Sequence, residues 1–214
     1  MRTIWGRRNS FNVQKVLWLA DELGLTYEHV AAGGSFGGLD TDEFRARNPH
    51  QRVPVLQDDD VVLWESHAIL RYLAARYGSG TIWSPDPGVE SRSDRWVEWS
   101  STTLLPAFTR LFWGFFRTPE QERNQAAIDK ALAETTRAYA MLDEQLSLQP
   151  YVAGDHLTLA DIAAGTPLYR WYNLDIARPD MPHVDAWYRR LQTRSAYQTN
   201  VMVSFEELRG RSAF

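Results

Sequence analysis

Residues 78–88, GSGTIWSPDPG, separate two stretches of chain with different hydrophobic rhythms. The segment concentrates Gly, Ser and Pro and has no apolar period, so it reads as a linker. Before it, short β-prone runs alternate with helical ones; after it, the pattern is helical almost to the end. A 214-residue chain divided in this way is expected to form a first domain at 1–78, a linker at 79–88, an all-helical domain at 89–205 and a solvated tail at 206–214.

In the first part, TIW at 3–5 and YEHV at 27–30 read as strands. Between them Val13, Val16, Leu17, Ala20 and Leu23 recur at helical spacing, and Gly24 stands where a helix stops. A short helix follows within 39–49, capped by Asp40 or Thr41 and ended by Pro49. VPVLQDDDVVLWES at 53–66 reads as an antiparallel hairpin around an aspartate turn, and SHAILRYLAARYG as a helix ending at Gly78. The element order is β-α-β, α, then β-β-α, giving four strands and three helices.

In the second part, Pro106 is expected to kink or divide a long helical stretch, because it has no N–H for the ladder. Thr118, Pro119 and Gln121 form a capping-box pattern before another long helix. Thr158 and Asp161 repeat the device, with Leu157 and Ile162 spaced as a hydrophobic staple.

Composition narrows the chemistry. A hydrophobic content of 44% and a charged content of 23% are those of a folding chain, and a net charge of −4 gives no basic field for nucleic acid or anionic lipid. There is no Cys, which removes disulfides, thiolate metal sites and a protein cysteine nucleophile, so any thiol chemistry must use a borrowed thiol. No signal-peptide pattern and no apolar span is visible, which makes the cytoplasm the expected location and a membrane partner unexpected.

The polar residues that stand out sit where strands meet helices. Ser10 and Asn12 in NSFN precede the first apolar helix; they are either caps for orphan backbone N–H groups or donors to an anion, and one hydroxyl can do both. Glu65 and Ser66 stand at the start of the helix after the hairpin, where Ser66 is equally a plain cap. His67 has no partner at metal-ligand spacing. Phe108, Phe112, Trp113 and Phe116 form an aromatic stripe, joined by Trp171 and Tyr172 from another helix; such a stripe is either core or the wall of an apolar pocket.

Taken together, NPHQRVPVL, ESHAILRYL, LTLADI and PHVDAWYRRLQTRSAY resemble the signature segments of the cytosolic glutathione S-transferases, with Ser195 where many members have Pro. WGRRNSFNVQKV is similar to bacterial theta- or nu-like members that use Ser, Thr or Asn near the first helix. The resemblance implies an α/β thioredoxin-like N-terminal domain followed by an all-α helical bundle, a cytoplasmic homodimer, and a role in detoxification. It also implies glutathione as co-substrate, no metal, and a small electrophile as second substrate.

On that resemblance Ser10 is the catalytic donor to the thiolate, with help from Asn12, and Phe11 is among the glutathione-binding residues. Gln51 or Arg52 binds the glycyl carboxylate, and Val53, held by a cis Pro54, pairs with the extended cysteinyl backbone. Glu65 and Ser66 hold the γ-glutamyl end, His67 contacts it, and the aromatic set, above all Phe112 and Phe116, receives the electrophile. Disulfide or peroxide reduction through glutathione, isomerisation, and a non-catalytic binding protein are the alternatives on the same fold.

Overall fold

The computed structural model describes residues 1–212. They fall into two compact units: Met1–Pro85 together with Ser195–Val203, and Asp86–Arg194 together with residues 204–212.

The first unit has the expected order: β1 (Arg2–Trp5), α1 (Phe11–Glu22), β2 (Tyr27–Val30), α2 (Asp42–Arg47), β3 (Val55–Asp58), β4 (Val61–Trp64) and α3 (Ser66–Tyr77). The strands form one sheet in the order β2-β1-β3-β4; β1 and β2 are parallel, and the other pairs are antiparallel. Parallel β1 and β2 need a crossover, and α1 supplies it. Thr41 caps α2 by accepting from Phe44 N at 3.2 Å, and Asn48 leaves the helix in an extended conformation ahead of Pro49. The aspartate turn is not all solvated. Asp58 is buried, accepts from the hydroxyls of Tyr72 at 3.0 Å and Tyr77 at 2.6 Å, and pairs with Arg2 at 3.2 Å.

Helix α1 is buried along its whole middle, from Val13 to Ala20, including Gln14 and Lys15. An amphipathic helix buries one face; α1 buries more because a second helix covers it. That helix is α10 (Ser195–Asn200), which the sequence placed in the second domain. Tyr197 packs edge-on against Trp18 with ring centroids 4.7 Å apart, and Asn200 Nδ2 donates to Asp21 Oδ2 at 2.6 Å. The expected boundaries change accordingly: the division falls between residues 85 and 86, inside the linker stretch, and residues 195–203 return to the first unit.

The second unit contains α4 (Pro87–Trp99), α5 (Leu105–Phe112), α6 (Gln125–Leu146), α7 (Leu159–Gly165), α8 (Leu168–Asn173) and α9 (Pro182–Gln192). Pro106 divides the first stretch as expected, sitting in the first turn of α5 just after a π-helical turn at Ser100–Leu104. The capping box expected at Thr118 does not form. Pro119 is extended at ψ 141, a single 3-10 turn covers Glu120–Glu122, and Arg123 is extended again. Asn124 caps α6 instead, accepting from Ala127 N at 3.0 Å, while Thr118 Oγ1 donates to Trp113 O. The box at Thr158 and Asp161 does form. The tail is not frayed from 206 onward: Glu206–Leu208 is a 3-10 turn with Leu208 buried, and Gly210 N donates to Phe116 O at 3.0 Å. Residues 213 and 214 of the expected tail lie outside the described residues.

Asp161 ties this unit together. Fully buried, it accepts from Val152 N, Thr158 N, Thr158 Oγ1 and Trp187 Nε1, all between 2.9 and 3.0 Å. Burial pushes its carboxyl up to about 6, and the four donors oppose that rise by favouring the ionised form. Replacing Asp161 by Ala leaves those donors unsatisfied, and a loss of about 3 kcal/mol or more is expected from urea unfolding.

Candidate active site

The loop from Gly6 to Ser10 carries the chain from β1 to α1. It passes close to the helix: at Gly6, with φ 152, a Cβ would lie 2.3 Å from Val13 Cγ2, so only glycine allows this approach. Ser10 occupies the N-cap position with φ −89 and ψ 124, yet its side chain makes no capping hydrogen bond. The hydroxyl is therefore uncommitted at the positive end of a 12-residue helix, half-buried, with its proton available to an anion. Of the two roles the sequence left open for Ser10, side-chain capping is not the one adopted.

Asn12, in the first turn, is exposed, but its Oδ1 is occupied twice. It accepts from Lys15 Nζ at 3.1 Å and from Ser66 Oγ at 3.3 Å, which links α1 to the start of α3. His67 Nε2 lies 3.0 Å from Lys15 Nζ. The four side chains Asn12, Lys15, Ser66 and His67 thus form one polar cluster at the adjoining ends of two helices. Burial lowers the Lys15 amine to about 7, against the pull of Glu65 toward the charged form. Burial, with the Lys15 and Arg71 cations, lowers His67 to about 3, so its ring stays neutral near pH 7 and its Nε2 accepts.

Glu65 opens α3 with φ 68 and ψ 114, a left-handed conformation that costs a non-glycine residue about 1–3 kcal/mol. Its side chain is exposed, and Ser66 behind it is buried. Gln51, at φ 52, and Arg52 are exposed on the loop before β3. The Val53–Pro54 peptide is cis, as the resemblance implied. Val53 precedes the strand, whose ladder to β1 starts with Val55 opposite Trp5, so this loop and the one leading to Ser10 leave the same end of the β1–β3 pair.

Two contributors escaped the sequence reading. Lys15 stands three residues after Asn12, on the same helix face, but a lysine at that spacing ordinarily extends to solvent. Asn48 is buried and clamps the 48–52 loop, donating through Nδ2 to Arg52 O at 2.8 Å and accepting from His50 N at 2.9 Å. Its position before a Pro was visible in the sequence; its clamp was not.

The aromatic set is a correction. Phe108, Phe112, Phe116 and Trp171 are at most 2% exposed and pack on one another. Phe112 stacks on Phe116 with centroids 5.2 Å apart, Phe205 meets both edge-on, and Phe108 meets Trp171. These rings are packed in the core of the second unit. Trp113 is covered by the Arg117 guanidinium at 3.8 Å, and Tyr172 stacks on Tyr188. Truncating Phe112 to Ala is expected to cost about 3–5 kcal/mol in urea unfolding rather than to change substrate choice. Among the described residues no group of three His, Asp or Glu side chains gathers as a metal site, and no helix is long and apolar enough to cross a membrane.

The first unit thus combines a mixed four-stranded sheet, a cis-Pro loop, and an unspent hydroxyl with a polar cluster at the adjoining N-termini of two helices. Residues 2–75 match the family Glutathione S-transferase, N-terminal domain, and residues 104–195 match Glutathione S-transferase, C-terminal domain. The chain is 40% identical over 205 residues to Glutathione S-transferase GstB of Escherichia coli (strain K12), covering 95% of this chain and 99% of that one. It is 31% identical over 209 residues to Glutathione S-transferase 3 of Zea mays, covering 92% of each. A crystal structure of the theta class glutathione S-transferase from the citrus canker pathogen Xanthomonas axonopodis pv. citri, with glutathione bound, superposes with a TM-score of 0.90. That protein is 47% identical, with 95% of this chain and 98% of that one covered. The chain belongs to the glutathione S-transferase family.

The low affinity of buried Lys15 for its proton has a measurable consequence. In the unfolded chain Lys15 keeps its proton to about pH 10, whereas in the folded chain it releases it near 7. Across that window the unfolded state binds more protons, so stability rises with pH. Urea unfolding above neutral pH is expected to show this rise in the wild type, and K15M is expected to lack that part of it.

Proposed function

We propose that this transferase binds glutathione along the cis-Pro loop and the α3 N-terminus, and ionises its thiol at Ser10 for attack on a small electrophile. The observation that carries the reading is the Ser10 hydroxyl: it holds the N-cap position of α1 without spending its hydrogen bond there. A free thiol has a pKa of about 8.5 and is only a few per cent thiolate at neutral pH. A hydroxyl donor and the positive end of a helix both favour the anion, so the thiolate fraction rises without a general base. The thiol proton passes to solvent.

The rest of the tripeptide finds groups of matching chemistry. Arg52 is exposed and makes no ion pair among the described residues, so its guanidinium is available to the glycyl carboxylate. Val53, outside the ladder, offers its backbone N–H and C=O to the extended cysteinyl unit as an added strand would. The backbone N–H groups opening α3 suit the γ-glutamyl carboxylate, and the exposed Glu65 carboxylate suits its ammonium. The backbone N–H groups matter more than the Ser66 hydroxyl, which already donates to Asn12.

A cytoplasmic homodimer acting in detoxification accords with the family. The test is calorimetric titration of glutathione followed by the ultraviolet thiolate band as pH is raised. The expected result is binding with a thiol pKa below its free value. S10A is expected to lose most of that depression and about tenfold or more in kcat/KM, with glutathione affinity little changed. An unchanged thiolate titration in S10A would remove Ser10 from this role, and no binding by the wild type would leave a transferase fold put to another use.

A further inference from the structure

We propose that Lys15 is the positioning residue for thiol activation: its buried ammonium holds the Asn12 amide with Oδ1 turned inward and the Nδ2 donors turned out toward the bound sulfur. The inference rests on the reading of the glutathione site given above and assigns it a residue that touches neither glutathione nor the reacting atoms.

A carboxamide has one accepting end and one donating end, and only its hydrogen bonds decide which faces where. At Asn12 both neighbours on the inner side donate, Lys15 Nζ at 3.1 Å and Ser66 Oγ at 3.3 Å, so the oxygen faces them and the NH₂ faces away. The NH₂ group has no protein partner among the described residues, and the side chain carrying it is exposed two positions after Ser10. The arrangement holds while Lys15 is an ammonium, which in the folded chain is the case below about pH 7. A neutral amine has a lone pair and accepts as well as donates, so it accommodates either face of the amide and releases the constraint.

Lys15 is itself fixed by its surroundings. It is 1% exposed on the buried face of α1, and the neutral His67 ring accepts from it at 3.0 Å. The charged groups facing it come from α3 and its cap: Glu65, which favours the ammonium, and Arg71, which acts on the same His67 ring. Helix α10 meets α1 at Trp18 and Asp21 through Tyr197 and Asn200, and neither is charged near neutral pH. The sheet beneath is apolar at Ile4 and Leu56. Burying this lysine with no ion pair among the described residues costs folding free energy, which its contacts to Asn12 and His67 offset only in part.

The experiment is a double-mutant cycle read by the pKa of the glutathione thiol bound to the protein, measured from its ultraviolet thiolate band in wild type, K15M, N12A and the double variant. K15M is expected to raise the bound thiol pKa by about one unit, a tenfold loss of thiolate below that pKa. K15R, which keeps a cation with donors, is expected to restore at least half of the loss. In the N12A background K15M is expected to change the thiol pKa by no more than a few tenths of a unit, because Lys15 acts through Asn12.

A shift in K15M that persists undiminished in N12A would overturn the positioning role in favour of direct charge action, and no shift in K15M would overturn any role. If K15M folds too weakly to titrate, K15Q, with a neutral polar head, is read by the same criteria. A wild type that binds glutathione with an undepressed thiol would instead refute the underlying site reading, so the two failures are separable.

Discussion

Everything at the candidate site depends on the burial of α1. From Val13 to Ala20 the helix presents no side chain to solvent, because α3 packs on one side and α10 on another. Such a helix has almost no freedom to rotate or slide without opening voids in a close-packed interior. Its first turn is therefore held firmly, and Ser10, Asn12 and Lys15 inherit that precision. A donor that must meet one sulfur atom gains most from a rigid mount.

The polar groups near the helix end divide the work. Ser10 keeps its hydroxyl unspent, and the helix N-terminus behind it supplies a fixed dipole at no reorganisation cost. Asn12, Ser66, Lys15 and His67 satisfy one another's hydrogen bonds, which offsets part of the cost of burying the Lys15 ammonium. The left-handed backbone at Glu65 is the local cost of starting α3 where its N–H groups and the Glu65 carboxylate stand together.

The second unit shows the same economy used for stability. Asp161 gathers four donors from three segments of chain, and the phenylalanine stack from Phe108 to Phe205 fills the interior beside α8. A helical-period aromatic stripe is compatible with a wall of a pocket or with a core, and the difference lies in what covers it. Phe205, distant in sequence, covers Phe112 and Phe116 and decides for the core.

The sequence by itself determined the element order, the break within 79–88, a cap for α2 at Asp40 or Thr41, the cap at Thr158, the division at Pro106 and the absence of any protein thiol. These are local matters: periodicity, cap chemistry and the missing N–H of proline act within a few residues, so short stretches of sequence disclose them. The proposed site residues Ser10, Asn12, Glu65 and Ser66 stood out because they stand at helix starts, where polar side chains have a reason to be. The Thr118 pattern failed because two cap signals stand close together there, and Asn124, four residues before the buried Ile128, caps the long helix. The return of 195–203 to the first unit, the burial of Lys15 and the sealing of Phe112 were decided by tertiary structure alone. Each depends on a partner supplied from far along the chain or from another helix, and no local pattern encodes which distant surface will cover a given side chain.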